Sequence, residues 1–71
     1  MDQPTSGTEE LEGQIQRRVG GRVRELRLAA GLTAVELALR AGISQGQLSK
    51  IENGKAALSS KVLAALCRVL E

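Results

Sequence analysis

Residues 33–53 read Thr-Ala-Val-Glu-Leu-Ala-Leu-Arg-Ala-Gly-Ile-Ser-Gln-Gly-Gln-Leu-Ser-Lys-Ile-Glu-Asn, and this stretch decides the fold. Thr33 followed three residues later by Glu36 has the form of a capping box, in which hydroxyl and carboxylate each satisfy a backbone donor left unpaired at a helix start. Helix two begins there, turns Leu37, Ala38 and Ala41 inward, and stops at Gly42. Ser44 and Gln47 repeat the pattern as a second capping box, and Leu48 and Ile51 supply a short apolar stripe. Helix three therefore runs from about Gln45 to Asn53.

The flanks read in the same way. Upstream, Ile15, Val19, Val23, Leu26 and Ala30 recur at three- and four-residue steps, the period of one helix face, and predict helix one from about Glu12 to Ala30. Gly20 and Gly21 lie inside it at a cost of roughly 1 kcal/mol each relative to Ala, so its first turns are expected to fray or to begin near Arg17. Gly31 caps its C-terminus in the left-handed conformation. Downstream, Asn53-Gly54 ends helix three and residues 55–58 form a loop. Ser59 is the N-cap of helix four, whose Leu63, Leu66, Cys67 and Leu70 share one face. No strand-like alternation and no internal repeat occur. The class is all-α, a compact four-helix domain.

Composition narrows the function. A chain of 71 residues is one domain at most and hides only about 60% of its unfolded surface. It holds no His, no aromatic residue and one Cys. General bases, nucleophile dyads and zinc ligand sets cannot be assembled from these side chains, so no catalytic residue, metal site or cofactor is expected and the chain is not read as an enzyme. Recognition of single strands by base stacking is excluded as well. The lone Cys67 argues against a disulfide framework and for a reducing, cytoplasmic setting; on the apolar stripe of helix four it is expected to be a buried small hydrophobe. The longest apolar run, Val62 to Cys67, is six residues where a membrane span needs about twenty, so no membrane partner is expected.

The net charge of +2 averages two unlike pieces. Residues 1–13 carry Asp2, Glu9, Glu10 and Glu12 without a basic side chain and are expected to be an acidic, disordered tail. Residues 14–71 hold all ten basic residues against four acidic ones and form the helical domain. A body of charge plus six favours an anionic partner such as nucleic acid. Helices two and three are joined by three or four residues, a turn tight enough to make them cross steeply. The second helix then projects where it can enter a major groove roughly 12 Å wide.

The block from Ala34 to Asn53 resembles the Cro/C1-type, or Xre, helix-turn-helix family of bacterial and phage regulators. Leu37 and Ala38, Gly42 in the turn, Ile43 after it, and Leu48 with Ile51 carry that family's pattern. Arg22 to Arg27, Gly31-Leu32-Thr33, Leu48 to Gly54 and Ser59 extend the likeness over about residues 19–70. The resemblance implies a lambda-repressor-like domain, a family of five helices of which the last is absent here, and a natural chain that continues. It implies sequence-specific binding of double-stranded DNA, by the N-terminal domain of a repressor that acts as a homodimer on a near-palindromic operator. Helix three would be the recognition helix, with Gln45, Gly46, Ser49 and Lys50 reading bases. Thr33, Ser44, Asn53, Lys55 and Lys61 would contact phosphates. Arg27 and Glu52 would form a structural ion pair. Ala34 departs from the pattern, since many members place a phosphate-contacting Gln there, and Gly46 is unusual inside a recognition helix.

Other features have plainer readings. The run Arg17, Arg18, Arg22, Arg24 and Arg27 reads as a solvated helix face, Arg27 excepted. Leu28, Leu39 and Leu58 fit no inward stripe cleanly; singly an exposed Leu needs no explanation, and together they leave open a contact with another subunit or a following domain. Two alternatives stay open on the sequence: an antitoxin-type regulator with a toxin partner, and a protein-interaction module that does not bind DNA.

Overall fold

The computed structural model describes residues 5–71, in which four helices follow one another: α1 (Thr5–Ala29), α2 (Ala34–Ala41), α3 (Gln45–Glu52) and α4 (Ser60–Leu70). α1 starts upstream of the expected Glu12. Residues 5–13, read from the sequence as tail, are its first turns, and residues 1–4 lie outside the described residues. Glu9, Glu10, Leu11 and Glu12 are good helix formers. Elongating a helix already nucleated adds one hydrogen bond per ordered residue, which favours the extension. The expected boundary after residue 13 thus falls inside α1.

The caps work largely as the sequence implies. The Thr33 hydroxyl accepts from the Glu36 N–H at 3.1 Å while the Thr33 N–H donates to the Glu36 carboxylate at 2.8 Å, a complete capping box. At α3 only half of the expected box forms: Ser44 Oγ accepts from the Gln47 N–H at 3.0 Å, and the Gln47 side chain does not return to Ser44. Ser59 caps α4 by accepting from the Val62 N–H. Gly42 sits at φ 74°, a left-handed conformation that L side chains rarely adopt, and turns the chain from α2 into α3.

Val23, Leu37, Ala38, Leu48 and Leu66 form the buried cluster, with Ile51 also buried. α1 packs on α3 and α4, and α2 packs on both as well. Gly20, read from the sequence as a weak point of helix one, is buried at the crossing of α1 and α3. A Cβ built there would lie 3.0 Å from the carbonyl carbon of Ile51 and closer still to its oxygen. Only glycine lets the two backbones approach this far.

Several inward assignments shift. α4 turns Val62, Leu66 and Val69 to the core, which leaves Leu63 42% exposed and Cys67 exposed instead of buried. The apolar stripe of α4 is wider than the core beneath it, and its outer edge faces solvent. On α1, Val23 is buried and Val19 and Leu26 are half-buried, whereas Ile15 and Ala30 are exposed. Leu58 packs against the core and leaves the group of unassigned leucines, while Leu28 and Leu39 are exposed, Leu39 at 79%.

Candidate nucleic-acid interface

α3 has two opposite faces. Leu48 and Ile51 are buried, and they fix the helix so that Gln45, Gly46, Gln47, Ser49 and Lys50 are all exposed. Gln45, Gly46, Ser49 and Lys50 fall at relative positions 0, 1, 4 and 5 and so share one side of the helix. The four expected base-reading residues therefore form one continuous surface of amide, hydroxyl and ammonium groups. Gly46 opens a gap in that surface, since a Cβ there would meet nothing within 4 Å.

The orientation of α3 is set from behind by α1. Arg27 Nε donates to Glu52 Oε2 at 2.7 Å and its Nη2 to Oε1 at 3.1 Å, a two-pronged pair whose side chains are 11% and 8% exposed. The third donor, Nη1, reaches the Leu32 carbonyl at 3.0 Å, so one guanidinium ties α1, the α1–α2 loop and the end of α3 together. The hydrogen bonds to Glu52 hold the guanidinium pKa above its ordinary value, although burial opposes them. Beside this pair, Gly54 lies against the backbone and stem of Arg17, where a Cβ would stand 2.7 Å from the Arg17 Cα. Sequence reasoning missed this contact; a glycine just past the cap of helix three was its only trace.

The five expected phosphate contacts are not equivalent. Thr33, Ser44, Asn53, Lys55 and Lys61 are all exposed. Thr33 is already committed, because the Glu36 carboxylate stands at the N-terminus of α2 and takes the donor a phosphate would use. The Thr33 backbone and hydroxyl hydrogen bonds in turn hold the Glu36 carboxyl below the usual carboxylate range. α3 and α4 have no acidic residue in their first turns, so their positive ends at Ser44 and Ser59 are not neutralised from within. Lys61 adds a cation to the first turn of α4. The Asn53 amide donates to the Ser49 carbonyl at 2.9 Å and makes a longer contact to its hydroxyl, so it serves the end of α3 in this structure.

A tight pair of helices, a polar second helix and an ion-paired support from the first helix together form a helix-turn-helix. The sequence profile of the helix-turn-helix family matches residues 23–71. The chain belongs to the Cro/C1-type (Xre) helix-turn-helix family. Its members are DNA-binding domains of transcriptional regulators. Two similar proteins are the transcriptional regulators ClgR of Mycobacterium tuberculosis strains CDC 1551 and H37Rv, each 37% identical over 57 residues, covering 80% of this chain and 51% of the relative. The chain spans about half the length of those curated relatives. Among solved structures, the clp gene regulator ClgR of Corynebacterium glutamicum superposes with a TM-score of 0.76 at 36% identity, over 78% of this chain and 58% of that one. A second structure of the same regulator gives 0.75, with 70% of that chain covered. No helix among the described residues of this helix-turn-helix domain is long and apolar enough to cross a membrane.

Proposed function

We propose that this domain binds double-stranded DNA sequence-specifically by laying α3 in the major groove, as the N-terminal part of a cytoplasmic transcriptional regulator. The observation that carries this reading is the division of α3: an apolar face locked into the core and an exposed face of Gln45, Gly46, Ser49 and Lys50. Gln has the bidentate geometry for adenine, and Lys can reach the O6/N7 edge of guanine, each good pair discriminating by about 1–3 kcal/mol. The gap at Gly46 leaves room for a base edge or a thymine methyl. Backbone contacts come from Ser44, Lys55 and Lys61 and position the domain without reading sequence; Thr33 and Asn53 join them only by exchanging the hydrogen bonds they already make. In the longer protein two such domains form a homodimer on a near-palindromic operator, with recognition helices about 34 Å apart. Occupying an operator that overlaps a promoter requires nothing beyond this surface, so repression is the mode the domain can perform by itself.

Titration of fluorescent duplexes at two salt concentrations tests the reading, with a clp upstream region as the first specific probe because the solved relatives are named as clp gene regulators. Affinity should fall steeply with salt, with a log–log slope of about −0.9 per phosphate contact. Lys50→Ala should reduce the preference for the specific duplex over a random one, whereas Lys61→Ala should weaken both about equally. Absence of salt-dependent binding to any duplex, or the same loss of discrimination in both variants, would overturn it.

A further inference from the structure

One side of the domain is apolar and open. Between α1 and α4 runs a groove of about 550 Å³ lined by Val19, Val23, Leu26, Leu66 and Leu70, with Arg18 and Arg22 along α1. A second hollow of about 350 Å³ shares Val19 and Leu63 with it and reaches Ile15. Beyond it, Leu11 and Ile15 are 56% and 52% exposed. Leu11, Ile15, Val19, Arg22 and Leu26 follow one another at steps of four, four, three and four residues and so lie along one side of α1. α1, at 25 residues, is roughly 37 Å long. The molecule measures 48 Å along its longest axis and 20 Å across, so the first turns of α1 extend beyond the bundle, and Leu11 and Ile15 are left largely uncovered.

Charge divides the same helix. Residues 5–16 carry Glu9, Glu10 and Glu12 with no basic side chain, and residues 17–29 carry five arginines against Glu25. Two such helices lying antiparallel set the acidic half of each against the basic half of the other, whereas a parallel arrangement sets like against like. We propose that the groove is occupied by a second copy of the chain, docked by an antiparallel contact between the two α1 helices in which Leu11 and Ile15 of each copy enter the α1–α4 groove of the other. Matching Glu9–Glu12 with Arg18–Arg24 places the two-fold axis close to Gln16. The proposal rests on the dimeric regulator described above and names the contact that joins its two copies.

Sedimentation of the 71-residue chain over a concentration series up to about 200 μM tests it. The wild type should dimerise, more weakly as salt rises. The double variant Leu11→Glu/Ile15→Glu should lose at least tenfold in association while keeping its helical circular dichroism, because both side chains are exposed in the single copy. Orientation is read by oxidation in a Cys67→Ser background. Ile15→Cys, near the two-fold axis, should form an intermolecular disulfide. Ala29→Cys should not, because an antiparallel pair holds those positions roughly 39 Å apart, far beyond disulfide reach. A wild type that stays monomeric throughout, a double variant that associates normally, or equal cross-linking at both positions would overturn the proposal. Salt-dependent DNA binding retained by the double variant leaves the DNA-binding function standing whichever way the association result falls. Loss of all duplex binding by a wild-type dimer would instead remove that function and spare the contact.

Discussion

Adding one methyl group at Gly20 should destabilise this domain, and adding the same methyl at Gly21 should stabilise it. At Gly20 the new Cβ would stand 3.0 Å and 3.2 Å from the carbonyl carbons of Ile51 and Glu52 and well inside contact distance of the Ile51 oxygen. That oxygen also accepts the Gly54 N–H at 3.0 Å, so it cannot turn away without breaking the end of α3. Relief requires α3 to retreat by about 1 Å, since a carbon and a carbonyl oxygen pack no closer than about 3.3 Å. Overpacking of this kind costs about 1–3 kcal/mol, and a backbone obstacle places it at the upper end. The higher helix propensity of Ala returns about 1 kcal/mol. The net loss of about 2 kcal/mol corresponds to a fall of roughly 10 °C in melting temperature for a domain of this size. At Gly21 the Cβ meets nothing within 4 Å, so the propensity gain stands alone and the melting temperature should rise by about 5 °C. Thermal melts followed by far-ultraviolet circular dichroism compare the two directly. A Gly20→Ala variant that melts at or above the wild type, or two variants that shift together, would refute the account of this crossing.

Arg27→Ala leaves the Glu52 carboxylate nearly buried without its partner and should cost about 3 kcal/mol in urea denaturation. Arg27→Lys should recover only a small part, because one ammonium cannot reproduce both prongs to Glu52 and the bond to the Leu32 carbonyl. For the capping box, the Glu36 carboxyl has a lowered pKa in the folded state, so its stabilisation is present above the unfolded value and is lost as pH falls through the folded one. The difference in melting temperature between wild type and Glu36→Ala should therefore be largest near neutral pH and shrink as the solution is acidified below about pH 4.

The helix-turn-helix itself was legible because its determinants are local. Thr33 with Glu36, Ser44, Gly42 and Ser59 fix helix ends through atoms within a few residues of one another, and all act as the sequence implies except that the box expected at Ser44 forms only its hydroxyl half. The ion pair of Arg27 with Glu52, separated by 25 residues, was reached through family resemblance, since no periodicity connects the two positions. What the sequence concealed is tertiary. Gly20 looks identical to Gly21 until α3 is laid against it. Cys67 and Leu63 lie on an apolar stripe whether or not a core reaches them, and only packing shows that Leu66, Val62 and Val69 take the inner positions. The acidic start of α1 was read as tail because it buries little, yet helix extension there depends on its neighbours in the chain more than on burial. At the site, family resemblance marked Thr33 as a phosphate ligand, and the sequence did not show that the capping box which makes it a good N-cap also sets the Glu36 carboxylate against its N–H.

The support of α3 is concentrated at one end. An eight-residue helix is too short to persist alone in water, so its geometry must come from what holds it. Leu48 and Ile51 anchor its inner face to the core, while Gly20 meets Ile51, Arg27 grips Glu52 and Arg17 lies against Gly54. Those last three contacts all come from α1, and all fall on the C-terminal turn of α3 or just past it. The N-terminal end, with Ser44, Gln45 and Gly46, is held by its own cap, and Ile43 just before it packs against the core. On the proposed reading, a rigid C-terminal end would fix the angle at which the helix meets a duplex, and the N-terminal end would offer its free N–H groups and a side-chain gap to the DNA. Loss of an α1 contact should therefore change the angle of approach, and with it affinity for every sequence. Changes at Gln45 or Gly46 should instead alter which sequence is preferred.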